Sequence, residues 1–138
     1  MHDDIYIFAK TNFNGDISNW DVSKVTHMSD MFSDASAFNG DISKWDVSRV
    51  TYMIRIFMGA ISFNSVMSLW DVARVTDMNS MFMGATSFQG NISNWDVSTV
   101  TSMNSVFMVA ILFNDDISRL GRVQGCRHGR HVHGCNRI

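Results

Sequence analysis

Trp20, Trp45, Trp70 and Trp95 recur every 25 residues without a slip, and Phe13, Phe38, Phe63, Phe88 and Phe113 keep the same interval. A fixed period of this size is the mark of a tandem array, in which one unit cannot bury its own apolar face and must stack on its neighbours. The four complete units begin FNGDISNWDVSKVTHMSDMFSDASA, FNGDISKWDVSRVTYMIRIFMGAIS, FNSVMSLWDVARVTDMNSMFMGATS and FQGNISNWDVSTVTSMNSVFMVAIL. A fifth opens as FNDDISRL at Phe113 and then loses the pattern. Three regions follow: a partial unit over 1–12, the repeat array over 13–120, and a basic Gly/Arg/His/Cys tail over 121–138, expected to be disordered.

Charge separates the last two regions. All 13 acids are Asp and lie in residues 1–120 beside 7 Lys and Arg, whereas 121–138 carry 4 Arg, 3 His and no acid. An acidic array lacks the concentrated basic face that phosphate neutralisation needs, so nucleic acid is not an expected partner. No apolar run reaches the roughly 18 residues of a membrane helix, and MHDDIYIFAK does not read as a secretion signal. Both cysteines sit in the tail and say nothing about the redox compartment of the array.

Within one unit, Val22, Val25, Met28, Met31, Phe32 and Ala35 are spaced by threes and fours, which predicts a short helix with these residues on its buried side. Asp21, Ser23 or Thr26 is its expected cap, and spacing does not choose among them. The segment GDISNW predicts a brief strand paired with its equivalent in the next unit. Asn14, Asn39, Asn64, Gln89 and Asn114 share one register and are expected to form an amide ladder. The fold class expected is therefore α/β: a solenoid with one short parallel strand and one short helix per coil. Trp20 and its repeats are expected inside, as are Met28, Met53, Met78 and Met103.

The string WDVSKVTHMSDMF, returning as WDVSRVTYMIRIF, WDVARVTDMNSMF and WDVSTVTSMNSVF, resembles the repeats of BspA-like leucine-rich-repeat surface proteins and of mycoplasma surface lipoproteins. The likeness covers about residues 13–120. It implies a right-handed, leucine-rich-repeat-like solenoid displayed at a cell surface as a scaffold for adhesion and for protein or carbohydrate binding, and it carries no active site. The array begins in mid-unit, without a signal or lipid-attachment sequence. The tail has no counterpart in the repeat, and Phe8 to Phe13 is one residue shorter than Phe32 to Phe38. Open ends of this kind lead to the expectation of end-to-end association or low stability.

Candidate sites follow from the registers. Lys24, Arg49 and Arg74 align as a basic stripe that ends at Thr99, suited to an acidic partner or polysaccharide; the bland reading is a solvated face that balances the Asp row. Asp21, Asp46, Asp71 and Asp96 supply too few oxygens for a calcium ladder, and helix capping accounts for them without a metal. Thr26, Thr51, Thr76 and Thr101 admit a flat, ice-binding hydroxyl row. Ile54, Met58, Ile61, Leu69, Met83, Met108, Ile111 and Leu112 are apolar where other units are polar, which reads equally as a protein-binding patch or as sequence decay. In the tail, Cys126, His128, His131, His133 and Cys135 offer zinc ligands at a spacing that fits no standard motif; a disulfide, a disordered tail or out-of-frame translation compete. No Ser/His/Asp arrangement or phosphate loop recurs, so catalysis is not expected and no cofactor is implied. The leading reading is a non-catalytic binding scaffold; the alternatives are a structural fragment of a longer array, or metal binding by the tail.

Overall fold

The computed structural model describes residues 6–115. The α/β expectation is overturned. Among these residues there is no helix, and β pairing is confined to isolated parallel bridges from His27 to Tyr52, Tyr52 to Asp77 and Asp77 to Ser102. The 25-residue units instead stack as coils built almost wholly from tight turns. In the second unit, amide-to-carbonyl bonds close turns from Trp45 to Ile42, Val50 to Val47, Met58 to Arg55, Ala60 to Phe57 and Phe63 to Ala60, at 2.9–3.2 Å.

These turns explain why the helical spacing misled. A chain of three-residue turns brings apolar residues to one side at steps of three, as a helix does. Val22, Met28, Met31, Phe32 and Ala35 are indeed buried. Two backbone features prevent the helix. Asp30 and Asp34 lie in the left-handed region at φ 61° and 57°, which an α-helix of L-residues does not tolerate. The alternation then points the N–H groups of Met28, Asp30, Phe32 and Asp34 at the next unit, where they donate to the carbonyls of Tyr52, Ile54, Ile56 and Met58 at 2.6–3.0 Å. The same four registers recur from Met53 to Gly59 and from Met78 to Gly84. Backbone groups that a helix pairs internally are paired here between coils.

The predicted strand GDISNW is likewise a turn, closed by the Trp20 amide on the Ile17 carbonyl at 3.1 Å. Its Ile17 is buried all the same.

Aromatic columns fill the interior. Phe13, Phe38, Phe63, Phe88 and Phe113 stack ring on ring with centroids 5.6–6.2 Å apart. A second column of Phe8, Phe32, Phe57, Phe82 and Phe107 runs beside it at 5.4–5.8 Å. Within each unit the two columns meet at about 4 Å, as in Phe57 and Phe63 at 3.8 Å. Phe8 and Phe13 meet at 3.9 Å despite the missing residue between them, so the short first unit keeps the packing of the full ones. Each such ring removes roughly 150–250 Å² from water, and truncation of a buried one to Ala costs about 3–5 kcal/mol.

The tryptophan expectation holds for three of four positions. Trp45, Trp70 and Trp95 are 3–4% exposed, and each indole Nε1 donates back to a carbonyl of the preceding unit: Ile17, Ile42 and Met67, at 3.0–3.1 Å. Trp20 is 43% exposed, because no complete unit lies before it among the described residues. Met28, Met53 and Met78 are fully buried, and Met103 packs against the same core from its edge.

Candidate functional site

The basic stripe sits on a turn repeated in every unit. Val25 donates its amide to Val22, Val50 to Val47, Val75 to Val72 and Val100 to Val97, at 2.9–3.0 Å. The buried valines pin the base of the turn, so the two central residues stand outward. One of these is Lys24, Arg49, Arg74 or Thr99, and all four are exposed. The other is Ser23, Ser48, Ala73 or Ser98, whose amide donates to Oδ1 of Asp21, Asp46, Asp71 or Asp96 at 3.0–3.1 Å. The aspartates thus close Asx-turns and do not cap helices. The hydroxyl and then the amide of the following serine hold the carboxyls of Asp21, Asp46 and Asp96 below the usual carboxylate range.

This arrangement fixes three cations in register on consecutive coils. Among the described residues the only ion pair joins Arg55 to Asp30, so Lys24, Arg49 and Arg74 are not neutralised by a direct contact. The stripe stops at Thr99, which carries no charge. Its hydroxyl turns back onto the preceding unit and meets the carbonyls of Ala73 and Val75, each at 2.8 Å, on either side of Arg74.

The other candidate rows resolve into scaffold. The Asp row is occupied by its own serine and backbone donors. The threonines are not a flat outward array: Thr51, Thr76 and Thr101 donate their hydroxyls to the carbonyls of Thr26, Thr51 and Thr76 at 3.1–3.2 Å, and their amides to the same oxygens at 2.8 Å. The amide ladder forms, each side-chain oxygen accepting from the backbone of the next unit. Asn14 Oδ1 accepts from the Asn39 amide, Asn39 from Asn64, and Asn64 from Gln89, at 2.8–2.9 Å.

The variable apolar residues divide. Leu69, Ile111, Ile61, Leu112 and Met108 are exposed, with Leu69 at 82%, whereas Ile54, Met58 and Met83 are half-buried. Met58 and Ile61 share registers with Met108 and Ile111, while Leu69 lies on the Ile17-type turn beside the exposed Val66. They do not form one register. A shallow open recess of about 390 Å³ lies between Gln89, Asn91, Leu112, Asn114 and Asp115, where Asp115 accepts the Ile92 amide at 2.7 Å. Cys126, His128, His131, His133 and Cys135 lie outside the described residues. Among those described, no three His, Cys, Asp or Glu side chains gather as metal ligands, and no helix is long and apolar enough to cross a membrane.

Sequence reasoning missed the register of His27. His27 and Tyr52 stack at 4.8 Å, and Thr26 Oγ1 lies 2.9 Å from His27 Nδ1. This register carries the isolated bridges.

A family model described as Mycoplasma protein of unknown function, DUF285, matches the chain twice, over residues 4–73 and 64–124. The match supports the mycoplasma side of the resemblance and does not extend to BspA-like leucine-rich repeats. No curated protein and no solved structure matches the chain.

Proposed function

Because the chain belongs to the DUF285 family of Mycoplasma proteins of unknown function, we propose its role from geometry: a non-catalytic binding module at a cell surface that takes an anionic polysaccharide along Lys24, Arg49 and Arg74. The observation that carries this reading is the register itself. Three exposed cations stand on one turn of consecutive coils, and none makes an ion pair within the described residues.

Hydrogen-bonded chains lie about 4.8 Å apart, well inside the screening length of about 8 Å at physiological salt. The potentials of neighbouring cations therefore add, which a single surface cation does not achieve. A linear polyanion matches a linear stripe. The buried valines hold the turn in place, so binding orders side chains without also ordering backbone. The resemblance of the repeats to those of mycoplasma surface lipoproteins supports the location.

The test is retention of the full chain on a sulfated polysaccharide resin, compared with the Lys24→Ser/Arg49→Ser/Arg74→Ser variant. Wild type is expected to elute at higher salt, and the variant to lose most of that shift while keeping its thermal unfolding midpoint. Equal elution of the two chains overturns the proposal, and retention of wild type by an acidic protein alone redirects it to a protein partner.

A further inference from the structure

In the registers of Phe8 and Lys10, hydrogen bonds between units run one way along the stack, each earlier unit donating to the later one, opposite in sense to the threonine amides. Phe8 and Lys10 donate to the Met31 and Ser33 carbonyls, Phe32 and Asp34 to Ile56 and Met58, Phe57 and Gly59 to Met81 and Met83, and Phe82 and Gly84 to Val106 and Met108. The stack consequently has unlike ends. At its C-terminal end the amides of Phe107 and Val109 have no acceptor among the described residues, and at its N-terminal end the carbonyls of Ile7 and Ala9 have no donor. These four groups occupy the same two registers that bond in every interior interface.

Packing at the two ends is complementary in the same way. Phe107 and Phe113 at one end, and Phe8 and Phe13 at the other, are only partly buried, whereas the interior rings of both columns are 0% exposed. Beside them stand the exposed Val109, Ile111 and Leu112 at one end, and Tyr6, Ile7 and Trp20 at the other.

We propose that a second copy of this chain docks end to end, the Phe107 and Val109 amides of one copy donating to the Ile7 and Ala9 carbonyls of the next. The contact continues an interface the chain already makes within itself. Phe107 lands on the next copy's Phe8 and Phe113 on its Phe13, which extends both aromatic columns without a break. The contact is heterologous, so each added copy presents a fresh end, and the assembly grows as an open row. Such a row also repeats the cationic stripe and gains avidity for a long polyanion.

The test uses the full chain with Cys126→Ser and Cys135→Ser. The left-handed registers of neighbouring units lie against each other, Gly59 Cα being 3.7 Å from a Cβ built on Gly84. Lys10 and Val109 occupy that register at the two ends. Mixing a Val109→Cys chain with a Lys10→Cys chain under mild oxidation is expected to give mixed disulfide several-fold faster than Val109→Cys mixed with Lys24→Cys, and sedimentation velocity is expected to show mass rising with concentration. Equal cross-linking in the two mixtures, or a monomer at every concentration, overturns the proposal.

Discussion

Arg55 reaches back one unit and clamps the carboxylate of Asp30, Nε on Oδ1 at 2.7 Å and Nη2 on Oδ2 at 2.8 Å. Both residues sit at the left-handed register, at φ 53° and 61°, and Asp30 is only 4% exposed. In the next two units the register carries Ser80 and Ser105, at φ 55° and 57°. The ion pair is thus a local substitute for small polar residues, and removing Arg55 leaves the buried Asp30 carboxylate without its ion-pair partner.

Arg55→Ser is accordingly expected to destabilise by about 2 kcal/mol, the scale of a charged hydrogen bond lost from a buried group. Adding Asp30→Ser should recover most of that loss, since the pair then matches Ser80 and Ser105. Chemical denaturation of wild type, the two single variants and the double variant measures the coupling directly. Additive losses would show that the two residues act independently.

The indole of Trp70 supplies a second comparison. Trp70→Phe keeps an aromatic ring in the core but removes the indole donor 3.0 Å from the Ile42 carbonyl, which retains the Trp45 amide at 3.2 Å. A loss of about 1 kcal/mol is expected, the net value of one buried hydrogen bond. Trp20→Phe, at a position 43% exposed, should cost less than about 0.5 kcal/mol. Urea midpoints of the two variants, measured side by side, separate position from residue type.

The repeat period, the buried tryptophans and the buried valines were legible because a strict period forces equivalent residues into equivalent places. The asparagine ladder was legible for the same reason. Secondary structure was not. Steps of three arise from consecutive tight turns as readily as from a helix, and the discriminating feature was backbone handedness. One left-handed register did carry a signal, in Gly59 and Gly84 between Asp34 and Val109. The other, with Asp30, Arg55, Ser80 and Ser105, contains no glycine to betray it. Of the candidate site, the stripe of Lys24, Arg49 and Arg74 was legible as a register. Its end at Thr99 was visible in sequence, but the hydroxyl that turns inward there was not.

Val109 is the costliest member of the glycine register. A β-branched side chain at φ 64° is strained, whereas Gly84 at φ 74° is not. The left-handed cost of about 1–2 kcal/mol, less the entropy that glycine returns to the unfolded chain, gives Val109→Gly a net gain of roughly 0.5–1 kcal/mol. Gly84→Ala should cost about 1 kcal/mol through conformation alone, since its Cβ meets nothing nearer than 3.7 Å. Thermal midpoints moving in opposite directions for the two variants are the expected result.

The Asx-turns make stability depend on acid. Asp16, Asp21, Asp41, Asp46 and Asp96 all titrate below their ordinary value in the folded chain, because the serine two residues on donates to the ionised carboxylate. A carboxyl with a depressed folded pKa contributes stability that is complete above its unfolded pKa of about 3.9 and is lost as pH falls through the folded one. The thermal midpoint should therefore be flat with respect to these groups near neutrality and drop on acidification below about pH 4. Asn91 shows how to remove the titration while keeping the turn, since its amide oxygen accepts both the Ser93 amide at 3.1 Å and its hydroxyl at 2.8 Å. Replacing Asp21, Asp46 and Asp96 together by Asn should leave the neutral midpoint nearly unchanged and flatten the acid limb. An acid limb as steep as wild type would place the titrating groups elsewhere in the chain.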